Sequence, residues 1–110
     1  MTPLTQDQIL TACLWLIAQK ISPSQCAALL FVHREKAATM GQINKLGLSS
    51  TAATTAAVDL LEQRNWTTRF RDDEDRRKVW VSLTPEGEAK VAELFAPMLD
   101  TDTLHEGFSR

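Results

Sequence analysis

The side chains best suited to chemistry in this sequence lie between Arg69 and Lys78. Arg69, Arg71, Arg76, Arg77 and Lys78 surround a run of acids, Asp72, Asp73, Glu74 and Asp75. Guanidinium groups on a hairpin can follow a phosphate backbone or enter a minor groove, where a narrow groove deepens the negative potential. Phosphates would repel the acids unless neighbouring arginines pair with them. Asp75 is assigned that role, because a carboxylate accepting from Arg77 would fix the direction of that cation. On an isolated hairpin the same run would be read more simply as a solvated charge cluster. The flanking residues make it a hairpin in context. Trp66 to Arg71 and Lys78 to Leu83 read as paired strands, with Val79, Val81 and Leu83 on one face and Lys78, Trp80 and Ser82 on the other. Trp80 is expected to pack beneath the arginine stems of the first strand, or to face a partner.

No catalytic or metal-binding constellation is expected elsewhere. Cys13 and Cys26 lack metal-ligand spacing and fall in apolar helical stripes, so they read as inert core thiols in a reducing compartment. His33 reads as ending a helix, and His105 lies in a polar tail. Neither has a ligand-spaced partner. The hydroxyl-rich segment near residue 50 has no adjacent base to activate a nucleophile. Glu86, Glu88 and Glu93 read as a solvated helix face. The expectation is no enzyme, no metal and no cofactor.

The elements that must position the hairpin are marked by helix-start signals. Thr5 with Gln8, Ser22 with Gln25 and Thr39 with Gln42 each have capping-box spacing, and Pro23 sits at a first helical position. The spacing predicts a first helix over about 5–20 and a second, central helix to about Arg34. A short link follows over 35–38. Next comes a short helix with Ile43 and Leu46 buried. Gly47 suits a left-handed turn and Leu48 can plug the space behind it. A fourth helix, capped by Ser49 or Ser50, runs to Arg64 and buries Thr54, Ala57, Val58 and Leu61. Asn65 tolerates the left-handed conformation that ends such helices. Thr84-Pro85-Glu86 opens a last helix, which Pro97 is expected to kink or end. This divides the chain into N-terminal helices (1–38), a helix-turn-helix (39–64), a wing (66–83), a C-terminal helix (84–100) and a tail (101–110). The fold class is mainly α, a winged helix-turn-helix with a two-stranded β wing, in one domain.

In a helix-turn-helix the second helix enters the major groove with its N-terminal residues at the base edges. Here these are Ser49, Ser50, Thr51, Ala52, Thr55 and Ala56, with Lys45 beside the turn. None of the helix residues is a bidentate base reader. Discrimination should therefore be weak, or carried by thymine methyl contacts and DNA shape. A small polar helix surface can also be merely solvated.

Hydrophobic residues make up 44% and charged residues 24%, the balance of an ordinary globular protein. The longest apolar run, Ala27 to Val32, is too short to span a bilayer. No secretory signal is expected from the N-terminus. Net charge is −2, against a strongly basic nucleic-acid binder, but the distribution is uneven. Residues 1–83 carry 10 basic and 8 acidic side chains, net +2, whereas residues 84–110 carry 2 and 6, net −4. The local field at the contact face matters more than the total.

Residues 39–87 resemble the MarR family of bacterial winged-helix regulators. The resemblance rests on Thr39-Met-Gly-Gln-Ile-Asn-Lys-Leu-Gly-Leu-Ser49, on Val58-Asp-Leu-Leu-Glu62, and above all on Asp75-Arg-Arg-Lys-Val-Trp-Val-Ser-Leu-Thr-Pro-Glu-Gly87. The last fits the family's wing pattern of Asp, any residue and Arg, then a strand ending Leu-Thr, then a Gly after two intervening residues. The resemblance implies a cytoplasmic homodimer on pseudo-palindromic duplex DNA, with Arg77 reaching a minor groove. Some members bind small phenolic effectors, which makes a small-molecule effector an expected partner class. Three departures are visible. Ala56 stands where the family usually has Arg, and Asn65 replaces Gly. The terminal helices used for dimerisation are short, leaving Trp15 and the apolar face of residues 91–99, or another surface, as the expected contact.

The function that follows is duplex-DNA binding by a transcriptional regulator, a repressor rather than an activator. The expected contacts are Ser49, Ser50, Thr51, Thr55, Lys45, Arg69, Arg71, Arg76, Arg77 and Lys78, with Asp75 orienting the wing. The competing class is a winged-helix protein–protein interaction module without DNA binding, favoured by the acidic total and the uncharged recognition helix.

Overall fold

The structure, a computed structural model, describes residues 3–99. Two helices begin the chain, α1 (Gln6–Gln19) and α2 (Pro23–Glu35). A short strand β1 (Ala37–Thr39) leads into α3 (Met40–Asn44) and α4 (Thr51–Gln63). The hairpin β2 (Thr67–Arg71) and β3 (Val79–Leu83) follows, then α5 (Pro85–Leu99).

All three capping boxes form. Thr5, Ser22 and Thr39 each accept from the backbone N–H three residues on, while Gln8, Gln25 and Gln42 return a bond to the cap's own N–H. Each box satisfies two donors that a helix start otherwise leaves orphaned. Ser50 caps α4, accepting from Ala53 N at 3.0 Å. Asn65 ends α4 at φ 62, in the left-handed region that its short polar side chain tolerates.

The sheet of the wing has three strands, not two. Its order is β1-β3-β2, all antiparallel, with Ala38 opposite Val81 and Arg69 opposite Val81 on the other side. The segment expected to be a link therefore holds a strand. Three residues are too few to show an alternating pattern, and the partner strand lies far along the chain. Ala38 and Val81 are fully buried on the face that meets the helices.

The core gathers Leu29 and Val32 of α2, Ile43 of α3, Val58 and Leu61 of α4, Val81 of β3 and Val91 of α5. Burying each such side chain contributes about 1.5–3 kcal/mol. Thr54, Ala57, Val58 and Leu61 form the buried stripe of α4, as their spacing indicated. Leu46 differs from expectation, being 40% exposed, because α3 has already ended and the chain has turned outward. Helix α5 extends two residues past Pro97, so the proline does not end it. The side chains of Met98 and Leu99 and the tail with His105 lie outside the described residues.

One junction ties four elements together. Thr84 donates its N–H to Trp66 O at 3.0 Å and its hydroxyl to Asn65 O. The same hydroxyl caps α5, accepting from Gly87 N at 3.1 Å. Arg64 reaches across to the carbonyls of Gln19 and Lys20, the last of α1, where a cation complements the helix dipole. The Arg64 guanidinium and the Lys90 ammonium lie 5.2 and 5.8 Å from the centroid of the Trp66 indole. Gly87 packs so tightly here that an added Cβ would sit 2.0 Å from Trp66 O. Helix propensity alone would favour alanine at this position by about 1 kcal/mol. The contact reverses the sign, and Gly87→Ala is expected to destabilise the fold by about 1–3 kcal/mol. A urea melt checks this through a lowered midpoint; a raised midpoint would refute the contact.

Candidate nucleic-acid interface

Helices α3 and α4 are set at their angle by a turn with two left-handed residues, Gly47 at φ 83 and Ser49 at φ 73. Leu48 plugs the space beneath it, only 9% exposed. A half-buried polar brace completes the unit: Thr54 Oγ1 donates to Asn44 Oδ1 at 3.0 Å. Neither the Ser49 conformation nor this brace is visible in local sequence patterns. The residues expected at base edges, Ser50, Thr51, Ala52, Thr55 and Ala56, all lie on the exposed face of α4, and Ser49 and Lys45 are exposed beside it.

The wing tip is an ordered loop organised by Asp72. Its Oδ1 accepts from the backbone N–H groups of Glu74 at 2.8 Å and Asp75 at 3.0 Å, and its Oδ2 accepts from Trp80 Nε1 at 2.9 Å. Two backbone bonds close the loop, Asp72 N to Lys78 O at 3.0 Å and Lys78 N to Asp75 O at 2.9 Å. Trp80 therefore does not lie under arginine stems. It stands on the outer sheet face, in register with Phe70 and Thr39, and donates to the tip. The indole N–H first, then the two backbone donors, holds the Asp72 carboxyl below its ordinary range. Hydrogen bonds to the charged form favour it.

Asp75 does orient Arg77: Arg77 Nε lies 3.2 Å from Asp75 Oδ1, and the same oxygen accepts from Arg77 N at 3.1 Å. The rest of the Arg77 side chain is 92% exposed. Arg76 and Lys78 are exposed beside it. The tip thus brings together Arg76, Arg77 and Lys78, but the structure gives the other two arginines different partners. Arg71 donates to Arg76 O at 2.9 Å, bracing the loop. Arg69, on the sheet face that meets α4, binds Asp59 Oδ1 and lies 3.1 Å from Glu62 Oε2. Those carboxylates, Glu62 foremost, hold the guanidinium above its ordinary pKa. Arg69 therefore neutralises Asp59 and Glu62 of α4.

Outside this face, α1 presents a different chemistry. Leu10, Leu14 and Ile17 are 44%, 47% and 71% exposed, and Cys13 is exposed among them. Cys13 is thus not a core thiol: the stripe that carries it faces outward. Cys26 is buried, and burial pushes its thiol up, away from the reactive thiolate. Trp15 packs inward instead, its Nε1 donating to Glu93 at 3.3 Å, and Gln19 Nε2 donates to the same carboxylate. Glu93 lies on the exposed face of α5 and also links it to α1. Among the described residues, no cluster of His, Cys, Asp and Glu could hold a metal ion, and no helix is long and apolar enough to cross a membrane. An apolar cavity of about 400 Å³ opens between α1, α2 and α5, lined by Leu4, Leu16, Cys26, Leu30, Leu94 and Phe95.

Residues 21–79 match the model of the MarR family. The chain is 33% identical over 66 residues to the uncharacterised HTH-type transcriptional regulator YwhA of Bacillus subtilis, covering 60% of this chain and 48% of that protein. It is 31% identical over 78 residues to the HTH-type transcriptional repressor MdtR of the same organism, covering 71% of this chain and 50% of that one. The chain thus spans about half the length of these curated relatives. A solved structure of an S. aureus MepR mutant bound to an oligodeoxyribonucleotide superposes with a TM-score of 0.78 at 21% identity, over 94% of this chain and 75% of the other, and shares the winged-helix fold.

A depressed pKa makes the contribution of Asp72 complete above the unfolded carboxylate value of about 3.9 and lost only as pH falls through the lower, folded value. The Trp80 indole N–H resonance should hold its position down to about pH 4 and move toward the free-indole position below it. Asp72→Ala should place that resonance at the free position at every pH and speed amide exchange at Glu74 and Asp75. An acid-insensitive resonance in the unsubstituted protein would remove Asp72 as the organiser.

Proposed function

The chain belongs to the MarR family, and on that premise we propose that it binds duplex DNA as a transcriptional regulator of the repressor kind. In this reading α4 lies in the major groove and the wing tip in an adjacent minor groove. The observation that carries it is the tip, where exposed Arg76 and Lys78 flank an exposed Arg77 that Asp75 aligns, while Asp72 is engaged in holding the loop. Membership alone leaves open which cations meet the phosphates. The two carboxylates on Arg69 support reading it as internal neutralisation, and the exposure of Arg76, Arg77 and Lys78 supports reading them as the cations offered to phosphate. Such a role needs no catalytic group and belongs in the cytoplasm, where the DNA is.

A regulator of this kind acts as two copies on a pseudo-palindrome, and the outward face of α1 supplies the seam. Leu10, Cys13, Leu14 and Ile17 recur at the spacing of one helical stripe, and no charge stands between Asp7 and Lys20. A twofold pairing would cover surface that is costly to leave in water. The expected contact through Trp15 is thereby replaced, since that ring is engaged with Glu93. The cavity beside Leu16 and Phe95 falls within the size range of small-ligand sites, and its wholly apolar lining suits a small aromatic effector.

Three measurements follow. A mixed-sequence duplex titrated at low and moderate salt should lose affinity steeply, by about 0.9 log units per log unit of salt for each phosphate neutralised. No binding at low salt would move the reading to a protein-docking winged helix. Arg77→Ala should lower affinity about tenfold and reduce the salt slope by about one; an unchanged slope removes Arg77 from the contact set. Ile17→Glu, at the most exposed apolar position of α1, should convert a dimer to a monomer in sedimentation velocity. A dimer that survives the charge would place the seam elsewhere.

A further inference from the structure

We propose that Thr55 is the specificity-determining residue of α4 and that it reads the C5-methyl group of thymine; this rests on the DNA-binding role proposed above. The argument begins with what the exposed face of α4 can offer a base edge. Ser50 is engaged as the N-cap, its Oγ accepting from Ala53 N at 3.0 Å. Thr55 Oγ1 donates back to Thr51 O at 3.1 Å, one helical turn earlier. That bond turns the hydroxyl toward the helix and leaves the γ-methyl as the group the exposed side chain presents. Ala52 and Ala56 stand beside it, also exposed and also ending in methyl groups.

The chemistry of the major groove makes this arrangement selective. All four bases offer hydrogen-bonding groups there, and the strongest discrimination among them comes from side chains that bond in pairs, Arg, Lys, Asn or Gln. No Arg, Lys, Asn or Gln stands between Ser50 and Ala56. The cations of the wing are held at its tip, and Arg69 is held by Asp59 and Glu62. Thymine alone adds an apolar group, and threonine and alanine methyls are its ordinary partners. A surface of Ala52, Thr55 and Ala56 methyl groups, with the Thr55 hydroxyl bonded to the helix, can thus favour one base without touching the donor and acceptor code. Thr55 is the point of contact because it projects beyond the two alanines on the same face.

The test uses the duplex that the protein selects from a random pool, and the same duplex with each thymine replaced in turn by deoxyuridine, which lacks only the methyl. Losing one buried methyl contact corresponds to about a fourfold drop in affinity. We expect that drop at one or more thymines in each half-site. Thr55→Ser, which keeps the hydroxyl and removes the methyl, should bind the thymine duplex about fourfold more weakly and be indifferent to uracil at that position. Thr55→Val, which keeps the methyl and removes the hydroxyl, should retain both the affinity and the uracil sensitivity. Equal affinity for the thymine and uracil duplexes, or a loss in Thr55→Val as large as in Thr55→Ser, overturns the assignment while leaving DNA binding in place. Failure of the unsubstituted protein to retain any duplex from the pool overturns the binding role itself, and this assignment with it.

Discussion

The fold turns on the Trp66 carbonyl and the residues that close around it. At this point the recognition helix has just ended, the wing is about to begin, and the last helix starts overhead. Thr84 holds Asn65 and Trp66 with its N–H and hydroxyl while capping α5, and Gly87 supplies the only side chain small enough to let α5 approach. Arg64 extends the same joint to the end of α1. The Leu-Thr-x-x-Gly portion of the wing pattern is therefore an assembly device: it fixes where the hairpin leaves the helical body, and with it the bearing of the arginines relative to α4.

Charge on the side that carries α4 and the wing is sorted by local pairing. The total of −2 would argue against a polyanion partner if every charge were free. Asp59 and Glu62 are matched by Arg69, Asp72 is turned onto backbone donors and an indole, and Asp75 aligns Arg77. Arg76, Arg77 and Lys78 project outward at the tip, beside the exposed Asp73 and Glu74. Exposed pairs of this kind contribute about 0.2–1 kcal/mol each to stability. Their larger effect is on the field an approaching strand would meet.

Features encoded within a few residues could be read directly from the sequence. The three capping boxes, the left-handed Asn65 and the buried stripe of α4 each depend on neighbours inside one or two helical turns, and each is present. Features that depend on distant partners could not. Strand β1 is too short to show a period and exists because β3 returns to it. Arg69 looks like any other arginine of the hairpin until α4 is seen to lie over its face of the sheet. The outward turn of Leu10, Leu14 and Ile17 is invisible to periodicity, which finds a stripe but not the surface that stripe meets. Trp80 gave the nearest warning, since a tryptophan alternating away from the apolar face requires another partner, and Asp72 is that partner.

The loop held by Asp72 also bears on the thermodynamics of encounter. Ordering a free backbone residue costs about 1–2 kcal/mol, and a floppy wing would incur that charge for each tip residue at the moment it entered a groove. Here the backbone between Asp72 and Lys78 is already tied by its own hydrogen bonds, so its entropy was surrendered during folding. What remains to be ordered is side-chain freedom alone. On the DNA-binding reading proposed above, such a wing would enter a groove with its backbone already ordered, and its heat-capacity change on association would reflect displaced water, not coupled folding.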